Sequence, residues 1–225
     1  GTTFAWFTDT AKTNVNTIKS GSLKIALEKA TTFETKYYPI TEDEEGNEYG
    51  GESYIVPAGW QNAKDDTLNF IKSDADGNYS VINDDSILWE PGCTFRLQPI
   101  RVRNDGNLAL KYEVRINGGS GDLDLLDAIK FSAHVVYGYE DAIFEDIMST
   151  GTICWGNLKE KDDAATIYIT AHMDENAGNT YQNKTLSDIA ITVVATQHTY
   201  EFDSTTDQYD KNATYPDVAF SAVSS

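Results

Sequence analysis

One stretch of the chain decides its fold: Leu108-Ala109-Leu110-Lys111-Tyr112-Glu113-Val114-Arg115-Ile116. Apolar side chains occupy every second position, and charged side chains occupy most of the positions between them. This period of two predicts a β-strand with one face in a core and the other toward solvent. The same alternation occurs in four further stretches, at residues 23–27, 131–137, 165–171 and 189–195. Together they predict an all-β fold in which two antiparallel sheets pack as a sandwich.

The residues just before this strand predict interruptions in the pairing. The apolar residues within 95–97 and within 100–102 fall in opposite phases of the alternation. The pair Gln98-Pro99 between them therefore predicts a bulge or an edge interruption. The run Asn104-Asp105-Gly106-Asn107 consists of turn-forming residues, and it predicts a hairpin turn into the next strand.

Other parts of the chain lack strand alternation. Two short segments, 125–129 and 143–148, have apolar residues at helical spacing and predict short helices that flank the sandwich. Residues 31–86 are rich in Gly and Asp, which predicts one or two hairpins and a long exposed loop. Near the end of the chain the apolar pattern is lost. We therefore expect one β-sandwich domain at 11–201, followed by a weakly ordered acidic tail at 202–225.

The composition limits the size and the partners of the protein. Its 225 residues, 40% of them hydrophobic, suffice for one sizeable core. They include 36 Asp and Glu against 17 Lys and Arg, a formal net charge of −19, which repels phosphate backbones and anionic lipid surfaces. No apolar run is long enough to span a bilayer. The sequence therefore predicts neither nucleic-acid binding nor membrane insertion of the mature chain.

The sequence lacks the motifs of the common catalytic sites. A zinc peptidase needs closely spaced ligands, such as two His on one helical face with a Glu between them, whereas His134, His172 and His198 are far apart. Neither a glycine-rich phosphate loop nor a nucleophile elbow is present. We therefore predict that the chain is not an enzyme and uses no cofactor, and we assign no catalytic residue.

One acidic segment has the ligand spacing of a calcium loop. Asp74, Asp76 and Asn78 alternate, and Asp85 stands at the twelfth position counted from Asp74. However, the sixth position holds Tyr79 where such loops have Gly, and Asp85 is shorter than the usual bidentate Glu. Because Asp-Gly-Asn runs are common in hairpin turns, the segment predicts a turn, with calcium binding as the alternative.

The two cysteines, Cys93 and Cys154, are candidates for a disulfide. In an oxidising exterior the bridge would stabilise the fold by closing a long loop. The alternative is two separate buried thiols that pack as small hydrophobic side chains. The sequence leaves both possibilities open.

The first residues of the chain are small, apolar and aromatic: Thr2-Thr3-Phe4-Ala5-Trp6-Phe7. The small residues Thr3 and Ala5 fit the cleavage site of a signal peptide, and a mature chain would then begin at Trp6. Gly1 could equally remain from an expression tag.

Several short blocks of the sequence share their order and spacing with one protein family. They are residues 1–9, Ser20-Gly21-Ser22-Leu23-Lys24-Ile25, Trp89-Glu90-Pro91-Gly92, residues 102–112 and Val194-Ala195-Thr196-Gln197. In these blocks the chain resembles the TasA/camelysin family of exported biofilm-matrix and surface proteins.

The resemblance implies a jelly-roll-like sandwich that a dedicated signal peptidase processes and that is secreted to the cell surface or extracellular matrix of a Gram-positive-type bacterium. It also implies that subunits form fibres when an N-terminal strand adds to a copy of the same protein or to a sibling matrix subunit. Residues 1–10 are then a signal-peptide remnant or donor strand, with Phe4, Trp6 and Phe7 as its anchors. The alternative is that this segment packs as an edge strand of its own subunit.

Two other functions stay open. Camelysin-type members of the family are described as zinc metalloendopeptidases, although this sequence lacks a recognisable zinc motif. A passive surface adhesin would use aromatic side chains such as Trp60, Trp89 and Trp155 as stacking platforms, but packing in the core explains the same residues.

Overall fold

The computed structural model describes residues 23–51, 53–82, 89–138, 140–147, 151–184, 186–198 and 220–224. The strands in these residues are β1 Ile25–Lys29, β2 Thr32–Tyr37, β3 Thr41–Glu42, β4 Glu48–Tyr49, β5 Ser53–Ala58, β6 Gln61–Asn62, β7 Thr67–Leu68, β8 Phe70–Ser73, β9 Tyr79–Val81, β10 Thr94–Leu97, β11 Ile100–Asn104, β12 Leu110–Gly121, β13 Ile129–Tyr137, β14 Glu140–Ile147, β15 Gly151–Leu158, β16 Ala164–Met173, β17 Leu186–Gln197 and β18 Phe220–Ser224. Two short 3-10 helices span Leu123–Ala128 and Asn179–Tyr181.

The larger sheet has nine strands, and β16 lies near its centre. One edge of β16 pairs with β13, which also pairs with β14. The other edge pairs with β11 and then with β10. From β11 the sheet continues to β1 and β6, and from β10 it continues to β8 and β9. The sheet therefore divides into two branches beside β16.

A buried glutamine closes the gap between the two branches. Residue 96 pairs with residue 170 of β16 and residue 100 pairs with residue 167, so four steps along one strand match three along the other. The register therefore shifts by one, and the predicted bulge at Gln98-Pro99 is confirmed. The side-chain Oε1 of Gln98 accepts a hydrogen bond from the N–H of Asn69, at 2.9 Å. Its Nε2 donates to the C=O of Ala30, also at 2.9 Å. One side chain thus satisfies backbone groups on both branches.

The second sheet has five strands in the order β15-β12-β17-β18-β7, and all its pairs are antiparallel except that of β18 with β7. The alternation that predicted β12 is confirmed, because Leu110, Tyr112, Val114 and Ile116 are buried and the side chains between them are partly exposed. Apolar side chains of both sheets form one continuous core. The predicted all-β, sandwich-like fold is confirmed.

The predicted hairpin turn at 104–107 is wrong. β11 belongs to the nine-stranded sheet and β12 to the five-stranded sheet, so this connection crosses between the sheets. The side chain of Asn104 donates to the C=O of Leu108 at 2.8 Å and accepts from the N–H of Gly106 at 3.1 Å. The turn residues predict a change of chain direction, but they do not indicate which sheet receives the next strand.

The helix predicted at 143–148 is also wrong, because residues 143–147 belong to β14, which pairs with β13, while residue 148 lies outside the described residues. A bulge shifts the register, and Phe144 and Ile147 lie opposite Ala133 and Phe131. Positions three apart on one strand therefore match positions two apart on its partner. Helix-like spacing in the sequence here reflects a bulged strand.

The remaining predictions are confirmed in part. The helix predicted at 125–129 is a 3-10 helix that ends where β13 begins. The region 31–86 contains a ribbon of β2 and β5 that carries the hairpin β3–β4, and a second hairpin, β8–β9. Part of the predicted tail forms strand β18, which pairs with β17 and bonds to backbone groups on one edge of β17. The sandwich thus extends beyond residue 201, while residues 202–219 lie outside the described residues.

Candidate functional site

The described residues do not include the three predicted donor-strand anchors, Phe4, Trp6 and Phe7. They do show where the N-terminal segment joins the sandwich. The C=O of Lys24 accepts hydrogen bonds from the N–H of Asp105, at 2.9 Å, and from the N–H of Gly106, at 3.1 Å. The chain therefore enters β1 beside the connection between β11 and β12.

The last residues of β17 lie at the same end of the sandwich. The N–H of His198 donates to the C=O of Ala109, at 2.9 Å, and Gln197 is in register with the first residue of β12. Ala109 belongs to the same short connection that holds Lys24. Lys24 and the residue after β17 are therefore both bonded to the connection between β11 and β12.

β17 is paired along one whole edge and along part of the other. β12 pairs with β17 from Leu186 to Gln197. β18 pairs only with Ala190 to Val193, and the other edge of β18 pairs with β7. The last four residues of β17, Val194–Gln197, therefore have a strand partner on one edge only among the described residues. We call these four residues the β17 end.

The β17 end is buried, and its polar side chains are unusual. Thr196 and Gln197 are 1% and 0% exposed. The hydroxyl of Thr196 and both amide atoms of Gln197 have no hydrogen-bond partner, and no other buried side-chain nitrogen or oxygen in the described residues shares this condition. An unpaired buried polar group disfavours folding by about 1–3 kcal/mol. The β17 end therefore holds unused donors and acceptors inside the protein.

The sequence predicted no site role for Thr196 or Gln197. Their block contributes only to the family resemblance. The signal that could have identified them is a pair of polar residues that directly continues the apolar run 189–195. If that strand is buried, the two polar side chains are buried with it and need partners.

Two long strands, β14 and β15, are among the other strands that have a described partner on one edge only. β14 pairs with β13 at the margin of the nine-stranded sheet, and β15 pairs with β12 at the margin of the five-stranded sheet. On β15, the side chain of Trp155 is more than half exposed. These margins are among the other places in the described structure where a strand could add.

The calcium candidates lie in the turn between β8 and β9. Oδ1 of Asp74 accepts hydrogen bonds from the N–H groups of Asp76 and Asn78, both at 2.9 Å. Asp85 lies outside the described residues. In the described part of the chain, no group of three or more His, Cys, Asp or Glu is arranged to hold a metal ion. The geometry around Asp74 is that of a side-chain-supported turn.

A second turn in the chain has the same geometry. Oδ1 of Asp43 accepts from the N–H of Glu45, at 2.9 Å, and from the N–H of Asn47, at 2.8 Å. The side-chain hydrogen bond from Asn47 contributes most to lowering the pKa of Asp43. Both turns read Asp-x-x-Gly-Asn. The Asp at the start of each turn therefore stabilises the turn itself.

The three histidines occupy separate surroundings. The ring of His134 lies 5.9 Å from that of Tyr168. Nδ1 of His172 is 2.7 Å from Oγ1 of Thr94, and its Nε2 is 2.9 Å from a carboxylate oxygen of Glu175. Hydrogen bonds from the Glu175 backbone, and then from His172, lower the pKa of Glu175. His198 follows the end of β17. None of these contacts assembles a zinc-peptidase site.

The two cysteines are free thiols, so the candidate disulfide is not formed in this structure. Cys93 lies in the turn before β10, where its Sγ accepts the N–H of Glu90 at 3.3 Å. Cys154 is fully buried in β15 of the other sheet, in register with Val114. Burial raises the pKa of both thiols, to about 12 for Cys154. The arrangement follows the alternative of two separate thiols.

The tryptophans proposed as stacking platforms differ in exposure. Trp89 packs in an aromatic cluster, 4.8 Å from the ring of Phe95, against the core. The ring of Trp60 lies 4.5 Å from the guanidinium of Arg101. Trp155 is the most exposed of the three. Core packing therefore accounts for Trp89, and a cation–π contact holds Trp60.

Exposed aromatic side chains concentrate on the ribbon at residues 32–58, which we call the tyrosine ribbon. Its large apolar side chains exposed to solvent are Tyr37, Tyr38, Ile40, Tyr49 and Tyr54. The rings of Tyr38 and Tyr54 stack with their centroids 4.2 Å apart. The sequence signal for this patch is the density of Tyr in the region predicted to hold one or two hairpins and a long exposed loop.

The described part of the chain contains no helix with the length and apolarity needed to cross a bilayer. Comparison with protein-family models, with curated proteins and with solved structures gives no match to this chain.

Proposed function

We propose that this protein is a secreted structural protein of the bacterial cell surface or biofilm matrix that polymerises into fibres. In this proposal the N-terminal segment of one subunit adds as a strand to the next subunit, which is a copy of the same chain or a sibling matrix protein. A signal peptidase removes the export segment. No catalytic residue and no cofactor takes part.

The observation that carries the proposal is the β17 end. Its residues are buried, lack a described strand partner on one edge and contain polar side-chain atoms with no hydrogen-bond partner. An extended segment supplies main-chain donors and acceptors together with side chains for a core, which is what such an edge lacks. Strand addition would therefore satisfy groups that the described residues of a single subunit leave unsatisfied.

A second feature supports addition at this edge. β18 already pairs with the middle of the same edge, at Ala190–Val193, although residues 198–219 separate it from β17 in the sequence. The edge of β17 thus accepts a strand that is distant along the chain. The uncharged residues Thr2 to Thr8 provide a segment that the acidic surface of another subunit would not repel.

The test compares two patches of aromatic and apolar side chains in the full-length protein. Phe4→Ser, Trp6→Ser and Phe7→Ser together remove the predicted anchors, and we expect the critical concentration for polymers to rise roughly a hundredfold or more. The matched control carries Tyr37→Ser, Tyr38→Ser and Ile40→Ser on the tyrosine ribbon and should polymerise normally. Sedimentation and negative-stain microscopy give the readout.

Three results would contradict the proposal. Wild-type protein that stays monomeric at all concentrations would show that the chain does not polymerise. Fibres that survive loss of the anchors but not loss of the ribbon would place assembly on the ribbon. Deletion of residues 2–19 should leave the sandwich folded, and loss of folded structure would place this segment inside its own core.

The tyrosine ribbon favours a second candidate function, that of a passive surface adhesin. Its exposed rings could stack on sugar rings or other flat ligands. Retention of wild-type protein on a glycan resin, lost in the ribbon variant and kept in the anchor variant, would support this function.

A further inference from the structure

We propose that the tyrosine ribbon is a docking surface for an extended, arginine-rich segment of another protein. Guanidinium groups of this partner lie against the exposed tyrosine rings and pair with glutamates at the tip of the ribbon. None of these residues belongs to the N-terminal segment or to the β17 end. The inference therefore goes beyond the proposed function and holds whether or not the subunits polymerise.

The ribbon rests on the sandwich near its base and projects beyond it. Oγ1 of Thr35 donates to the C=O of Gly77, and the hydroxyl of Tyr168 donates to the C=O of Ile55 at 3.4 Å. The side chain of Ile55 is buried, whereas every residue from 36 to 42 is exposed. The far half of the ribbon therefore presents its side chains to solvent.

The exposed apolar side chains of the protein are concentrated on this ribbon. In the described part of the chain, all the large apolar side chains that are exposed lie on it except Leu123 and Trp155. Such side chains gain by association, because burial against a partner removes their apolar surface from water. A cluster of this kind marks an interaction surface.

Contacts within the ribbon order its rings before a partner arrives. The rings of Tyr38 and Tyr54 stack with their centroids 4.2 Å apart and their planes at 26°. The hydroxyl of Tyr49 donates to Oδ2 of Asp43 at 3.0 Å, and Asp43 also accepts hydrogen bonds from the backbone of its own turn. Rings that are already ordered lose little conformational entropy on binding. The ribbon is therefore preorganised to receive a flat group.

The tip of the ribbon carries four exposed glutamates, which we call the glutamate quartet: Glu42, Glu44, Glu45 and Glu48. Glu42 lies directly opposite Glu48 across β3 and β4, and like charges in this position repel each other. No member of the quartet takes part in the ion pairs formed among the described residues. A cationic partner would relieve this repulsion.

Aromatic rings beside carboxylates indicate arginine as the cation. A guanidinium group stacks on an aromatic face and also bonds a carboxylate with its planar fork, which a lysine ammonium lacks. Arg101 shows this arrangement within the same molecule, because its guanidinium lies 4.5 Å from the ring of Trp60 and its Nε donates to Glu28 at 2.6 Å. A second copy of the chain, with a net charge of −19, would be repelled. The ribbon thus fits a basic partner.

The spacing of the rings and the quartet suits an extended segment. Tyr38 and Glu42 are four residues apart, which is at most about 14 Å along the chain. An extended partner segment of similar length reaches both, and every second side chain of that segment points to the same face. Arginine at alternate positions of the partner would therefore contact the ribbon.

The test uses a labelled synthetic peptide in which arginine alternates with serine. Fluorescence anisotropy measures its binding to the full-length protein at a concentration where the protein is monomeric. Tyr38→Ser combined with Tyr54→Ser removes the stacked pair, and we expect the dissociation constant to rise about tenfold. The matched control, Trp155→Ser, removes a ring of similar exposure from the other sheet and should leave binding unchanged.

A second pair of variants tests the charges and keeps the test decisive if the tyrosine variant does not fold. Changing the whole quartet to glutamine should weaken binding about tenfold at low ionic strength, and the difference should shrink at high salt. The matched control removes the same number of charges elsewhere on the surface, with Asp76→Asn, Glu90→Gln, Asp127→Asn and Glu160→Gln. It should weaken binding no more than about twofold.

Four results would overturn the inference. Equal losses in the quartet variant and its control would mean that the peptide binds the acidic surface as a whole. Unchanged binding by the tyrosine variant would exclude the rings from the site. A lysine–serine peptide that binds as tightly as the arginine–serine peptide would exclude recognition of the guanidinium group. Absence of arginine-peptide binding by a wild-type protein that is retained on a glycan resin would assign the ribbon to sugars instead.

Discussion

Gln98 and Gln197 are the same residue type at nearly the same burial, 3% and 0% exposed, and they differ completely in hydrogen bonding. The amide of Gln98 bonds to backbone on each side of a gap in the nine-stranded sheet. The amide of Gln197, at the end of β17 in the five-stranded sheet, bonds to nothing. One glutamine joins two branches of its sheet, and the other lies where β17 has a strand partner on one edge only among the described residues.

The two buried amides affect the stability of the fold in opposite directions. Burial of an amide disfavours folding unless partners compensate, so Gln98 contributes to stability and Gln197 opposes it. A group that opposes folding in the subunit is explained if it gains its partners in an assembly. The contrast between the two glutamines therefore separates a role in folding from the assembly role that we propose, and mutation of each can test it.

Gln98→Met should have the largest effect on the subunit. The substitution leaves the N–H of Asn69 and the C=O of Ala30 without their side-chain partner in the interior. We expect the free energy of unfolding to fall by about 3 kcal/mol. Chemical denaturation followed by tryptophan fluorescence measures this change. A loss below about 1 kcal/mol would mean that water reaches these groups. Gln98 would then contribute little to joining the two branches of the sheet.

Gln197→Met should have a smaller effect of the opposite sign. Removal of an unpaired buried amide should leave the free energy of unfolding unchanged or raise it by up to about 1 kcal/mol. The same denaturation experiment measures it, at a protein concentration below that at which polymers form. If the two methionine variants lose equal stability, the contrast between the glutamines does not exist and Gln197 has a partner within the subunit.

Much of the fold could be predicted from local pattern. The period of two in 108–116 locates β12 and its buried face, and the phase change at Gln98-Pro99 locates the bulge. The errors arose where long-range pairing decides the outcome. The turn at 104–107 could not show that the next strand joins another sheet, and the spacing in 143–148 could not show a bulge whose partner is β13.

The proposed assembly site, which consists of the N-terminal segment and the β17 end, could be predicted only in part. The sequence indicates an apolar, uncharged N-terminal segment, because that property is local. The β17 end was missed as a site because it depends on distant events: β12 pairs with all of β17, whereas β18 reaches only Val193. No local pattern shows that Gln98 finds partners and Gln197 does not.

The smallest effect that we predict is a loss of stability at high pH. It limits the pH range in which the two glutamine variants can be compared. Burial raises the pKa of the Cys154 thiol from near 9 to about 12, so the folded state keeps a proton that the unfolded state releases. The stability that this thiol contributes is complete below about pH 9 and is lost as the pH rises toward 12. Between pH 8 and pH 9.5 the loss should be about 0.8 kcal/mol.

Cys154→Ala isolates this loss, because other groups that titrate in the same range remain in both proteins. The wild-type protein should lose more stability than the variant when the pH is raised from 8 to 9.5, and the difference between the two losses is the contribution of the thiol. Equal losses would mean that water reaches Cys154 and that β15 opens readily. The five-stranded sheet would then be loosely closed at its margin, and solvent rather than a second subunit could satisfy the amide of Gln197.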